Sequence, residues 1–147
     1  MRIYLAGPLF TPYERGYLDT CAARLREAGF EVFVPHEQAL ALGTDVTATA
    51  IFAKDLEGLA AADAVFALLD GSQVDDGTAC EIGLFYALMR SDPAKKGIVG
   101  LLTDLRSLRL EEGHGLNLFV EGCIAAVGEI VNSLDDALSA LDRLRAT

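Results

Sequence analysis

Apolar residues recur along this chain in two alternating registers. Short runs rich in β-branched and aromatic side chains occupy Arg2–Ala6, Glu31–Pro35, Ala64–Leu69, Gly97–Thr103 and Gly128–Val131. Runs of this length and content predict strands buried on both faces. Between them apolar positions fall at steps of three and four, as at Tyr17, Cys21, Leu25 and Ala28. That period predicts helices over Tyr13–Ala28, stopped by Gly29, and over Thr47–Ala62, Gly77–Arg90 and Leu134–Arg145. The last starts behind Ser133, whose hydroxyl suits a cap, with Asp135 and Asp136 in its first turn. Strands alternating with helices imply a parallel sheet covered on both sides. The expected fold is therefore α/β, a flavodoxin-like (Rossmann-like) three-layer sandwich. Its five parallel strands would lie in the order 2-1-3-4-5 with right-handed crossovers. With no internal repeat, low-complexity stretch or linker, residues 1–147 read as one domain.

Composition narrows the function more than the fold. At 147 residues, folding removes roughly 68% of the unfolded surface from water, enough for one core. Acidic residues outnumber basic ones 22 to 12, for a formal charge of −10. No basic stripe exists to follow a phosphate backbone, so a nucleic acid polymer is not an expected partner. No apolar run approaches the ~20 residues that span a bilayer, and the chain opens on the strand-like "RIYLAG" without signal-peptide architecture. The expected location is the cytoplasm, with no membrane partner. Cys21, Cys80 and Cys123 are odd in number and widely spaced, which fits neither a disulfide framework nor a zinc site. They are expected as buried reduced thiols.

In an open parallel sheet, ligands lie beyond the carboxyl ends of the strands where strand order reverses, here between the first and third. Two loops meet there. The first, Gly7-Pro8-Leu9-Phe10, reads as a rigid turn with a backbone position expected to need positive φ. It has neither GxGxxG nor GxxxxGK[ST] spacing, and Arg15 is its nearest cation, so neither a dinucleotide nor a nucleoside triphosphate is indicated. The second, "DGSQVDDGTACE", holds Asp70, Asp75, Asp76 and Glu81. Glu81 follows Gly77 and Thr78 by about one turn, where the positive end of a helix favours its ionised form by about 0.3–1 kcal/mol. Three- and four-residue steps align it with Leu84, Phe85 and Leu88, so its carboxylate should face the crevice. The Thr78-x-x-Glu81 spacing equally fits a capping box. Asp55, in "FAKDLEGLAAAD", joins Asp70 and Asp75 as a further carboxylate directed at the same crevice. Such a group suits glycosidic chemistry, with one carboxylate as nucleophile and another as acid, or a hard cation. His36 and His114 are lone histidines without a paired nucleophile and are expected to be solvated.

"IYLAGPLF", "KDLEGLAAAD", "DDGTACEIGLFYAL" and "NLFVEG" resemble, in order and spacing, the signature segments of the nucleoside 2-deoxyribosyltransferase family. The resemblance spans nearly the whole chain, and Asp75-Asp76-Gly77-Thr78-Ala79-Cys80-Glu81 is its most specific part. It implies an enzyme that moves a 2-deoxyribosyl group between nucleobases. Glu81 would attack the anomeric carbon to give a covalent deoxyribosyl-enzyme, Tyr4 would hold Glu81, and Asp55 would protonate the departing base. Asp75 would bind the sugar hydroxyls, and Gly7, Pro8, Phe10, Gln38 and Gly77 would complete the substrate site. No cofactor or metal is implied.

The resemblance also implies a shared site. Asn117 would reach a neighbouring subunit's sugar pocket in a homodimer that builds a tetramer or hexamer. Phe119 stands where the family has methionine, which should reshape that wall. "NLFVEG" suits equally a helix start with Asn117 as its cap. Some family members end in a tyrosine whose carboxylate joins the site, whereas this chain ends Arg145-Ala146-Thr147. Two other functions remain open: an N-glycoside hydrolase of deoxynucleosides or nucleoside 5′-monophosphates using the same nucleophile, and a flavodoxin-like module whose acidic loop holds a cation. Base preference should depend on the shapes around Leu9, Gln38 and Leu40–Thr47.

Overall fold

The computed structural model describes residues 1–41, 46–106 and 115–147. In chain order these form β1 (Arg2–Ala6), α1 (Pro12–Glu27), β2 (Glu31–Phe33), α2 (Pro35–Ala41), α3 (Ala48–Ala61) and β3 (Ala64–Leu68). Then follow α4 (Asp76–Met89), β4 (Gly97–Leu101), α5 (Leu118–Ala125), β5 (Gly128–Val131) and α6 (Leu134–Ala146). The strands make one sheet in the order β2-β1-β3-β4-β5, and each adjacent pair is parallel. This is the expected flavodoxin-like order, with the reversal between β1 and β3.

Side-chain alternation along the strands sorts the core into two layers. Ile3, Leu5, Phe66, Leu68, Val99 and Leu101 pack with α1 and α6. Tyr4, Ala6, Val65, Ala67 and Ile98 face Leu59 of α3, Ile82 and Phe85 of α4, and Ile124 of α5. Burying each large apolar side chain contributes roughly 1.5–3 kcal/mol relative to leaving it exposed. The alternation has a functional consequence: Tyr4 lies on the α3/α4 face, where Glu81 and Asp55 also lie.

Two elements differ from the sequence expectation. β2 stops at Phe33 rather than Pro35, because proline has no N–H for the ladder while its fixed φ suits the first turn of a helix. Pro35 accordingly opens α2, which the apolar pattern does not predict. Asn117 caps α5, its Oδ1 accepting from the N–H groups of Phe119 at 3.0 Å and Val120 at 3.4 Å. Elsewhere helices and strands fall within two residues of expectation, and α1 carries a full capping box between Thr11 and Glu14.

Gly7 is needed for a reason other than φ. Positive φ occurs at Gly29, Gly71, Gly97 and Gly115 among the described residues, not at Gly7. A Cβ at Gly7 would instead lie 2.8 Å from Leu18 Cδ2 and 3.1 Å from Leu68 Cβ. The first loop thus leaves β1 pressed against α1 and β3.

Asp70 also departs from expectation. Its Oδ1 accepts from the N–H groups of Thr103 at 2.6 Å and Asp104 at 2.8 Å, and its Oδ2 accepts from Thr103 Oγ1 at 2.6 Å. It ties the end of β3 to the end of β4 and is not free to join the other carboxylates. Asp70→Ala should therefore lower unfolding stability by about 2–3 kcal/mol, since it strands two amides and a hydroxyl. Urea denaturation checks this; a change below about 0.5 kcal/mol, the range of an unremarkable surface substitution, would contradict the assigned clamp.

Candidate active site

Asp75 caps α4, its Oδ2 accepting from Thr78 N at 2.8 Å and Thr78 Oγ1 at 3.0 Å. Thr78 is thus the third residue of the helix, engaged with Asp75, and the expected alternative of a Thr78–Glu81 capping box is not formed. Glu81 falls in the second turn, beyond the reach of most of the terminal partial charge.

What holds Glu81 is Tyr4. The tyrosine hydroxyl donates to Glu81 Oε1 at 2.5 Å, across 77 residues of sequence. The Tyr4 side chain is fully buried. Burial and the facing Glu81 charge push its ionisation far above the ordinary phenol range, so it remains a donor. Glu81 itself is pushed up to about 7, chiefly by burial, with Asp55 and Asp75 adding repulsion and the Tyr4 hydrogen bond pulling the other way. Burial thus opposes the ionised form that the helix start was expected to favour. Asp55, on α3, is also raised by burial. Among the described residues no lysine or arginine forms an ion pair with Glu81, Asp55 or Asp75.

The space around these groups is a crevice with two lobes that share Asp55, Gly77 and Glu81. One lobe of about 180 Å³ is mostly apolar and is walled by Tyr4, Phe52, Leu56, Leu59, Cys80 and Leu84. The other, of about 240 Å³, runs beneath the first loop past Gly7, Leu9, Phe10 and Pro35 to Asp75 and Thr78. Of the residues expected in the site, Tyr4, Asp55, Glu81, Asp75, Gly7, Phe10 and Gly77 are thereby brought together. Pro8 lines an adjoining acidic hollow with Phe10, Glu14, Asp70, Asp75 and Asp76.

Gln38 is not brought in. It lies on α2 and lines a separate cleft at the β2 edge with Arg2, Glu31, Lys54 and Glu57. Asn117 is exposed at the head of α5, and Phe119 is 81% exposed; neither lines the crevice of its own chain. His36 is largely enclosed rather than solvated, with Nε2 2.8 Å from Asp19 Oδ1. His114 and residues 42–45 of the Leu40–Thr47 stretch lie outside the described residues. Cys21 is buried, and burial pushes its thiol up to about 12, whereas Cys80 is exposed at the crevice, against expectation. Among the described residues no three carboxylate, imidazole or thiol groups converge as metal ligands. Phe52, one helical turn before Asp55, joins this lobe without having been expected in the site. Its three-residue spacing was the available signal.

Fold and site together define a flavodoxin-like α/β protein in which a tyrosine-held carboxylate, not a phosphate loop, occupies the reversal of strand order. The chain belongs to the nucleoside 2-deoxyribosyltransferase family, whose sequence model matches residues 3–134. It is 30% identical to an uncharacterized protein of Ureaplasma parvum serovar 3, the match covering 96% of this chain and 94% of that one. Its fold is similar to that of a conserved protein from Enterococcus faecalis V583, with TM-score 0.81, 29% identity, and coverage of 97% and 98% of the two chains. It is also similar to the 2-deoxyribosyltransferase from Bacillus psychrosaccharolyticus, with TM-score 0.72, 26% identity, and coverage of 94% and 90%.

The raised Glu81 value predicts a stability effect. The folded value near 7 exceeds the ordinary 4.5, so the folded state retains a proton across that window and loses stability as pH rises through it. An amide has no such proton to lose. Glu81→Gln should therefore be more stable than the wild type at pH 8, with the difference vanishing toward pH 4.5. Denaturation at both pH values checks this; identical pH dependence would show Glu81 to be solvated.

Proposed function

We propose that this protein exchanges the base of 2′-deoxynucleosides through a covalent deoxyribosyl-Glu81 intermediate. The observation that carries the reading is the Tyr4–Glu81 bond: it fixes one carboxylate oxygen at 2.5 Å and leaves Oε2 available in the crevice. In the first step Oε2 forms a bond to C1′. The glycosidic C1′–N bond breaks with its electron pair leaving on the base, and Asp55 delivers a proton to that base. In the second step a nitrogen of an incoming base bonds to C1′, Asp55 takes the proton that nitrogen loses, and Glu81 departs as carboxylate. Both steps pass through positive charge at C1′, which a close carboxylate stabilises.

Protonation order matters. In the free protein Glu81 is raised to about 7, while the chemistry needs it ionised with the proton on Asp55. The two carboxyls repel, so near neutrality the pair gives up its first proton readily and holds the second. A base packed on Asp55 dehydrates it further and draws the remaining proton there, while Tyr4 stabilises the charge on Glu81.

The surroundings support an unphosphorylated substrate. Asp55, Asp75 and Glu81 line one lobe and Glu14, Asp70 and Asp76 the adjoining hollow, a setting that repels a phosphate dianion. Asp75, whose Oδ2 is engaged by its own helix, retains Oδ1 for a sugar hydroxyl. The exposure of Asn117 and Phe119 supports a role for them toward a neighbouring copy rather than their own chain.

Incubation with 2′-deoxyinosine and adenine should yield 2′-deoxyadenosine, and Glu81→Ala should abolish this without loss of fold. The profile of kcat/KM should be a bell, its acid limb set by loss of the pair's first proton and its alkaline limb by loss of the second. Chromatography of the products decides: hypoxanthine released with no new nucleoside would replace exchange by hydrolysis, and an active Glu81→Ala would remove the nucleophile.

A further inference from the structure

The Tyr4 hydroxyl stands at the far end of its ring, so its position depends on what supports that ring. In the β1–β2 register Tyr4 pairs with Phe33, which places both side chains on the same face of the sheet. Their rings stack with centroids 5.3 Å apart and planes 14° from parallel. Gly58 of α3 packs against the same Phe33 ring. A Cβ added there would sit 2.5 Å from Phe33 Cζ and 2.6 Å from each Cε. Only glycine lets the α3 backbone close against the ring.

We propose that Phe33, stacked on the Tyr4 ring and packed against the bare backbone of Gly58, is a positioning residue that sets the Tyr4 hydroxyl on Glu81 and thereby aims the nucleophile. The inference rests on the reading of Glu81 as nucleophile and extends it to a residue outside the crevice. Phe33 lines neither lobe around Glu81 and instead faces the cleft that holds Gln38. It acts through Tyr4 rather than on a substrate. A tilt of the tyrosine ring by roughly ten degrees carries its hydroxyl about 1 Å, and displacements of that size cost up to about a hundredfold in rate.

The test is a double-mutant cycle of Phe33→Leu and Tyr4→Phe, read by the Glu81 titration midpoint from carboxyl-carbon NMR and by kcat and KM for exchange. The groups facing Glu81 are Tyr4 from β1, Asp55 from α3 and Asp75 at the head of α4. Tyr4→Phe should raise the midpoint, because the lost hydrogen bond favoured the ionised form. Phe33→Leu should raise it in the same direction, and the double variant should go no further than Tyr4→Phe alone. In the wild-type background Phe33→Leu should lower kcat about tenfold with KM within about twofold, and in the Tyr4→Phe background it should change kcat little. A midpoint unchanged or lowered by Phe33→Leu, or the same loss of kcat in both backgrounds, would overturn the proposal and leave Phe33 an ordinary packing residue. Should Phe33→Leu not fold, Gly58→Ala displaces the ring instead of removing it and is judged by the same two criteria. The NMR midpoint needs no turnover. Coupled midpoints in a protein that exchanges no bases would reject the exchange reading and support the positioning role.

Discussion

A hydrogen bond between a buried phenol and a half-buried carboxyl organises this molecule's site. Tyr4 reaches Glu81 at 2.5 Å only because β1 lies in mid-sheet beside β3, its third side chain faces α4, and Glu81 lies in the second turn after the capped start of that helix. Each condition comes from a different level of structure. Alternation along a strand decides the face, strand order decides the neighbour, and Asp75 decides where the helix begins. Glu81 and Tyr4 are thus fixed by the same forces that build the core.

The second constraint is electrostatic. Burial of Glu81 works against its ionisation and raises it to about 7, with Asp55 beside it adding repulsion. The Tyr4 bond is the opposing contribution, and the balance leaves Glu81 able to change charge close to neutrality. A carboxylate fully solvated in a loop would ionise more easily but would be a poorer partner for positive charge developing at carbon, because water would screen it. The acidity that repels phosphate and the dehydration that raises Glu81 have one origin, a concave site walled by apolar side chains and lined by carboxylates.

Much of this was legible in the chain. The β-branched runs mark all five strands, and the spacing of "DDGTACEIGLFYAL" puts Glu81 on the inward face of its helix. Strand order then brings Tyr4 and Asp55 to it. What stayed hidden depends on contacts between distant segments. Asp70, at a strand end, looks the same whether it awaits a ligand or, as here, receives the amides of Thr103 and Asp104. Pro35 and its buried neighbour Val34 extend an apolar run that reads as strand, although proline opens a helix there. Gln38 rides on that unexpected helix and so lines a separate cleft at the β2 edge. The stacking of Phe33 on Tyr4 follows from β1–β2 register, which no local pattern reports.

The central claim is that the free oxygen of Glu81 bonds to C1′. Rapid acid quenching during turnover of a 2′-deoxynucleoside, followed by peptide mass spectrometry, tests it directly. The account predicts an added mass of one deoxyribosyl residue on the peptide that carries Glu81, lost when a second base is supplied before the quench. Turnover with no adduct on that peptide, or with the adduct on another residue, would contradict it.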